Sequence, residues 1–189
     1  MKSIKNISSV ITGFLLILAG GMIPSAIFGP GKDFTLKVHD LPSSWQVPAL
    51  ILTGLVCGPK QGAIAAVAYI TLGLFYLPVF HGGGSIGYLA TPDFGYIAGF
   101  IPAAWVTGKI AIARNRASLN QLFKACLFGL TIIHSIGIIN LLIGTLFSRW
   151  PETLLELFIR NSIAVFPIQL ILCTGVVILA KFIRKILFI

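Results

Sequence analysis

Residues Trp45 to Phe80, WQVPALILTGLVCGPKQGAIAAVAYITLGLFYLPVF, decide the fold. Trp45 to Gly58 and Gln61 to Phe80 are two apolar stretches, and Gly58-Pro59-Lys60 between them is a turn signal with room only for a tight connection. The pair predicts a helical hairpin, and its crowd of small residues (Ala63, Ala65, Ala66, Ala68 and the Gly54-x-x-x-Gly58 spacing) suits close helix contact in lipid.

The rest of the chain continues this pattern. It has 189 residues, of which 57% are hydrophobic and 10% charged, with a mean hydropathy of +0.97. A soluble core of that size cannot hide so much apolar surface, so lipid is the remaining solvent. The net charge of +9 comes from basic residues scattered singly or in small clusters between apolar runs, which is not the basic face a nucleic-acid binder needs. Cys57, Cys126 and Cys173 are widely spaced in apolar sequence, with no metal-ligand spacing, and read as buried packing residues.

The reading is an all-α membrane protein, one domain over residues 1–189, with six spans in one bundle at about 7–27, 45–58, 61–80, 93–113, 122–147 and 160–182. A cleaved signal competes for the first span, but its apolar run outlasts an ordinary signal core. Pro30 to Ser44 carries Lys32, Asp33, Lys37, His39 and Asp40 and is expected to be an ordered loop outside the membrane. Pro92-Asp93 opens the fourth helix, where Pro suits a first turn and Asp the positive end of the dipole; Gly95-x-x-x-Gly99 repeats the small-residue spacing. With both termini cytoplasmic, Lys2, Lys5, Lys60, Lys109, Arg114, Arg116, Lys124, Lys181, Arg184 and Lys185 fall inside. Lys32, Lys37, Arg149, Arg160 and all five acids, Asp33, Asp40, Asp93, Glu152 and Glu156, fall outside.

Polar groups within spans are costly and are therefore candidates for function. Gln46, Tyr96, Asn140 and Gln169 all fall in the outer half, on four different helices. Beside them lie Trp45 and Gly82-Gly83-Gly84-Ser85, whose glycines allow backbone N–H groups to approach an anion. Together they predict an apolar cavity with a few placed amides, open to the outside, for a small amphipathic ligand. The competing reading is helix–helix hydrogen bonding.

Enzymatic readings fail on context. Gly83-x-Ser85-x-Gly87 matches a nucleophile elbow, but that motif needs an α/β sheet. Ser85 and His134 belong to different depths, and His134 reads as a packed or hydrogen-bonded helix residue. Gly58-Pro59-Lys60-Gln61-Gly62 lacks the G-K-[ST] of a nucleotide-binding loop, so no ATPase activity is expected; nor is a metal or cofactor.

Three blocks resemble one family. Pro42-x-x-x-Gln46 with Gly54 and Gly58-Pro59-Lys60-x-Gly62 is the first. Tyr69, Leu72-Gly73 and Leu77-Pro78-Val79-Phe80-x-Gly82-Gly83 form the second, and Pro92-x-x-Gly95-Tyr96-x-x-Gly99-Phe100 the third. In register over about residues 42–100, they resemble the BioY family, the biotin-specific membrane subunits of energy-coupling-factor transporters. The resemblance implies biotin uptake across the cytoplasmic membrane by a non-enzymatic binding subunit. Its implied partners are a transmembrane scaffold subunit, contacted through small residues of the first helix (here Ser9-x-x-x-Gly13), and a pair of cytoplasmic ATPases. In the last helix, family members often carry P-G-D-x-x-K; this chain has Pro167-Ile168-Gln169-x-x-Leu172, so carboxylate capture would rest on backbone N–H groups and neutral side chains.

On this reading Gln46, Asn140 and Gln169 address the ligand's polar groups and Trp45 and Tyr96 wall its rings. Gly82, Gly83, Gly84 and Ser85 close over one end, and the loop before Trp45 acts as a lid. The alternatives are another small carboxylated vitamin, or an integral membrane protein that transports nothing.

Overall fold

In a computed structural model, residues 2–30, 36–80, 83–113 and 117–187 are described. The chain runs α1 (Lys2–Met22), β1 (Pro24–Pro30), β2 (Leu36–Ser44), α2 (Gln46–Cys57), α3 (Pro59–Phe75), α4 (Phe94–Ala98), α5 (Phe100–Ala111), α6 (Leu119–Leu146), α7 (Leu154–Phe158) and α8 (Phe166–Ile186). A 3₁₀ turn (Ile86–Ala90) precedes α4, and a π turn (Ile159–Ile163) joins α7 to α8. Counting α4–α5 and α7–α8 as one segment each, six helical segments form a multi-pass membrane bundle. Ser3–Met22, Leu119–Leu146 and Leu154–Ile186 are each long and apolar enough to cross a bilayer.

α2 sits at the centre, packed against α1, α3, α5, α6 and α8. Most of it is buried, from Gln46 through Leu55. Its 12 residues reach about 18 Å, short of a hydrocarbon core of about 30 Å. A helix enclosed by others does not have to reach the surface, because its neighbours supply the apolar surroundings.

Where the structure differs from the sequence reading, local chemistry gives the reason. Among the described residues, Leu36 to Ser44 is a strand rather than a loop and the first helix does not run to 27; Lys32 and Asp33 lie outside the described residues. α1 stops at Met22, because Pro24 has no N–H to donate and steers Ile23 away from helical geometry. The chain turns into an antiparallel hairpin that pairs Ala26 with Asp40 and Gly29 with Lys37, with an irregularity between Pro24 and Ala26. Its sequence signal is the alternation Leu36-Lys37-Val38-His39. The hairpin lies at the end where α2 and α8 begin, touching α8 and α1 through β2; Trp45 N–H donates to Ile23 O at 3.1 Å and Ser25 Oγ to Ser43 O at 2.8 Å.

α3 ends at Phe75 rather than 80. The segment expected at 93–113 divides at Gly99, because Pro102 cannot complete the helical bond to Ala98. Of the two small-residue spacings, Gly95-x-x-x-Gly99 lies against α6: an added Cβ would stand 2.3 Å from Asn140 Cβ and 2.9 Å from Ile133 Cα. Gly54 meets α5, where an added Cβ would stand 2.9 Å from Ala104 O, whereas Gly58 makes the turn, with φ at +88°. Gly13, expected on a coupling face, is turned inward, where an added Cβ would stand 2.4 Å from Thr53 Cγ2. Cys126 and Cys173 are buried, while Cys57 at the end of α2 is half-buried.

Candidate ligand site

Two polar groups form at the hairpin end. The first is built on α2 and α3. Gln46, the first residue of α2, is 6% exposed, and its backbone N–H donates to Ser44 Oγ at 3.3 Å. Its Nε2 donates to Tyr69 Oη at 2.6 Å, and Tyr69 Oη donates to Val79 O at 2.8 Å. Tyr69 is fully buried in an edge contact with Phe80 (centroids 5.5 Å apart) and a stacked one with Phe100 (6.4 Å), and Phe80 tilts against Tyr88 at 4.7 Å. The Phe80 ring occupies the place of a missing side chain at Gly73, where an added Cβ would lie 2.2 Å from Cζ. Tyr88 lies on the 3₁₀ turn; burial, with Asp93 adding repulsion, pushes its phenol well above the usual range, so it stays protonated.

The glycine segment folds back on itself and on α3, which engages two of its backbone donors. Gly83 N–H donates to Phe80 O at 3.0 Å, Phe80 N–H to Gly83 O at 2.9 Å and Ser85 N–H to Gly73 O at 3.0 Å. Backbone donors engaged in this fold-back are not free for an anion. Gly84 packs over Pro78, 2.6 Å from its Cα were a Cβ present, and Ser85 holds φ at +100°. Gly82 lies outside the described residues.

The second group joins α4, α6, the π turn and α8. Ser162 Oγ lies 2.7 Å from Tyr96 Oη and 3.3 Å from His134 Nδ1, and His134 Nε2 lies 3.0 Å from Gln169 Oε1. Tyr96 and Phe166 each meet the imidazole edge-on, at 5.6 and 5.0 Å. Ser162 reaches both partners because the backbone makes a π turn, with Ala164 N–H donating to Ile159 O at 2.9 Å. Pro167 supplies the local reason, since it cannot donate to the Ile163 carbonyl.

The expected residues are thus partly gathered. Gln46 and the Gly83–Ser85 segment belong to the first group, Tyr96 and Gln169 to the second. Asn140 instead holds the start of α4, its Nδ2 donating to Thr91 O at 3.3 Å and Pro92 O at 3.0 Å. Trp45 is 38% exposed at the α1–α2 contact, where its carbonyl lies 2.6 Å from the position of a Gly20 Cβ, and among the described residues its ring stacks on no other. Two hollows in the fold lie elsewhere, one along Val10, Phe14 and Tyr76 and one along Ile110, Gln121 and Lys124. The sequence reading did not assign Tyr69, Phe80, His134 or Ser162 to a site. Lone polar residues in apolar helices were the available signal for Tyr69 and His134; nothing local marked Ser162, which depends on the π turn.

Chemically, neither group contains a carboxylate, lysine or arginine. They offer amides and hydroxyls among aromatic rings, which suits a small ligand with polar edges and an apolar body.

Comparison with known proteins places this arrangement. The sequence model of the BioY family matches residues 1–188. A probable biotin transporter BioY of Lysinibacillus sphaericus is 29% identical over 147 residues, 75% of each chain. The biotin transporter BioY of Rhodobacter capsulatus is 32% identical over 139 residues, 72% of this chain and 68% of its own. Among solved structures, the S-component for biotin from an ECF-type ABC transporter matches with a TM-score of 0.74, covering 97% of this chain and 93% of its own at 21% identity, which establishes likeness of fold. A family match over almost the whole length and a common helical fold have one consequence: the chain belongs to the BioY family.

Proposed function

We propose that this protein binds biotin at the hairpin end of the bundle and takes it across the cytoplasmic membrane as the substrate-binding subunit of an energy-coupling-factor transporter. It is a transporter component and not an enzyme. Its partners on this reading are a transmembrane scaffold subunit and a pair of cytoplasmic ATPases, and both termini face the cytoplasm. The observation that carries the reading is the family match across residues 1–188, together with relatives described as biotin transporters.

The site's chemistry supports it. Biotin has a ureido head, an apolar ring and chain, and a carboxylate tail. Gln46 and Gln169 address its polar edges, the aromatic residues around Tyr69 and Tyr96 wall its rings, and Gly83 to Ser85 covers one end. The β1–β2 hairpin, which touches α8 and α1 through β2, acts as the lid on this reading.

Equilibrium binding of labelled biotin to the purified protein tests the reading, and uptake by a biotin-requiring strain extends the test to transport. Saturable binding at micromolar ligand is expected; its absence overturns the proposal. Gln169 and Leu172, standing where relatives often carry an acid and a lysine, favour one second reading, another small carboxylated vitamin. Competition by a panel of such vitamins separates the two.

A further inference from the structure

Donor and acceptor chemistry gives the two hydrogen-bond chains at the hairpin end a fixed sense. In the first, the Val79 carbonyl can only accept, so the Tyr69 hydroxyl proton points to it at 2.8 Å. Tyr69 Oη then accepts from Gln46 Nε2 at 2.6 Å, and Gln46 keeps its Oε1, an acceptor.

In the second, Gln169 Oε1 can only accept. His134 Nε2 must therefore carry the ring proton and donate at 3.0 Å. The ring's neighbours Tyr96, Ser162, Phe166 and Gln169 are all uncharged, which suits a neutral imidazole, so Nδ1 is an acceptor. Ser162 Oγ–H donates to Nδ1 at 3.3 Å and receives the Tyr96 hydroxyl at 2.7 Å. Gln169 Nε2 lies outside this chain. Among the described residues it has no hydrogen-bond partner, although Gln169 is only 8% exposed.

From this we infer that the site presents an acceptor at Gln46 and an amide N–H₂ at Gln169, and that His134 and Ser162 are positioning residues that set Gln169's sense. The inference rests on the proposed function for its ligand. α2 and α8 pack together, and both amides lie in their first turns. An acceptor on α2 and a donor pair on α8, at the starts of two packed helices, suit a ureido edge, with an N–H for Gln46 Oε1 and a C=O for Gln169 Nε2. It does not suit a carboxylate, which Gln46 Oε1 would repel.

The test uses biotin and 2-iminobiotin, in which a protonated guanidinium replaces the ureido group. Gln169→Glu keeps an acceptor for His134 but replaces the N–H₂ with an anion. It should weaken biotin on the order of tenfold or more and bind 2-iminobiotin more tightly than wild type does. His134→Phe frees the Gln169 amide to rotate and should cost biotin roughly tenfold. His134→Gln, whose N–H₂ and C=O can repeat the ring's two roles, should restore affinity to within about threefold. Equal biotin affinity in wild type, Gln169→Glu and His134→Phe overturns the inference and leaves biotin binding standing.

A second measurement needs no ligand. Nitrogen NMR of the labelled protein, with His134 assigned by difference against His134→Gln, should show the Nε2–H tautomer. The Nδ1–H tautomer would mean that Gln169 turns its nitrogen to the ring, and it overturns the inference even where biotin binds. A wild type that binds no biotin refutes the proposed function instead, and the tautomer still decides the sense of the chain.

Discussion

The two ends of the bundle treat buried polarity in opposite ways. At the end where α2, α5 and α8 finish, Arg184 is 5% exposed, and its guanidinium donates to Leu55 O at 2.7 Å and Ala111 O at 3.3 Å, tying the carbonyl termini of two helices to a third. Lys181 Nζ donates to Ala117 O and Gln121 Nε2 to Ile110 O at 2.7 Å. Arg184 there meets the negative ends of two helix dipoles, an arrangement that fixes backbone. At the hairpin end, Gln46, Tyr69, Tyr96, His134, Ser162 and Gln169 include no carboxylate, lysine or arginine and are bonded side chain to side chain or to a loop carbonyl. Charge holds the frame at one end, while neutral amides with unused groups suit recognition at the other.

The comparison is broken most readily at Arg184. Arg184→Leu leaves two carbonyls without a charged donor and should cost about 3 kcal/mol of stability. A thermal melt in detergent should fall clearly, while biotin affinity per folded molecule holds. A loss of affinity with an unchanged melt would show that the frame end takes part in recognition.

Gly73→Val is next. A side chain there must displace Phe80, with an expected cost of about 2 kcal/mol. Because Phe80 packs on Tyr69 and Tyr88, this variant should lower both melt and affinity, linking packing to recognition at the hairpin end alone.

Asn140→Ala sharpens the boundary of the site. Asn140 donates to the carbonyls that open α4, so its loss should cost about 1 kcal/mol in the melt and leave binding within about threefold. A tenfold fall in affinity would return Asn140 to the ligand. The smallest effect belongs to Arg160→Ala: the Arg160–Glu152 pair at 3.4 Å is solvent-exposed on both sides and should contribute under about 0.5 kcal/mol.

Much of the architecture was legible along the chain, because a lipid-facing helix declares itself by a run of apolar residues whatever packs beside it. The turn at Gly58-Pro59 read correctly, and Gly95-x-x-x-Gly99, expected to allow close helix contact, meets α6. The hairpin did not, since Leu36-Lys37-Val38-His39 is brief and polar flanks masked its alternation. Gln46, Tyr96 and Gln169 were visible as lone polar residues in apolar surroundings. Their partners were not, because Tyr69 is 23 residues from Gln46 and Ser162 is 66 from Tyr96.

What the sequence alone determined was the solvent, the helical class and the family whose spaced glycines, prolines and aromatics it shares, since composition and spacing are properties of one strand of chain. Tertiary structure decided which face each polar group turns to and which of its atoms stay unused. Asn140 and Gln169 look alike as isolated amides. One binds the carbonyls of Thr91 and Pro92 and the other accepts from His134, a distinction made only when distant helices bring those partners within hydrogen-bonding distance.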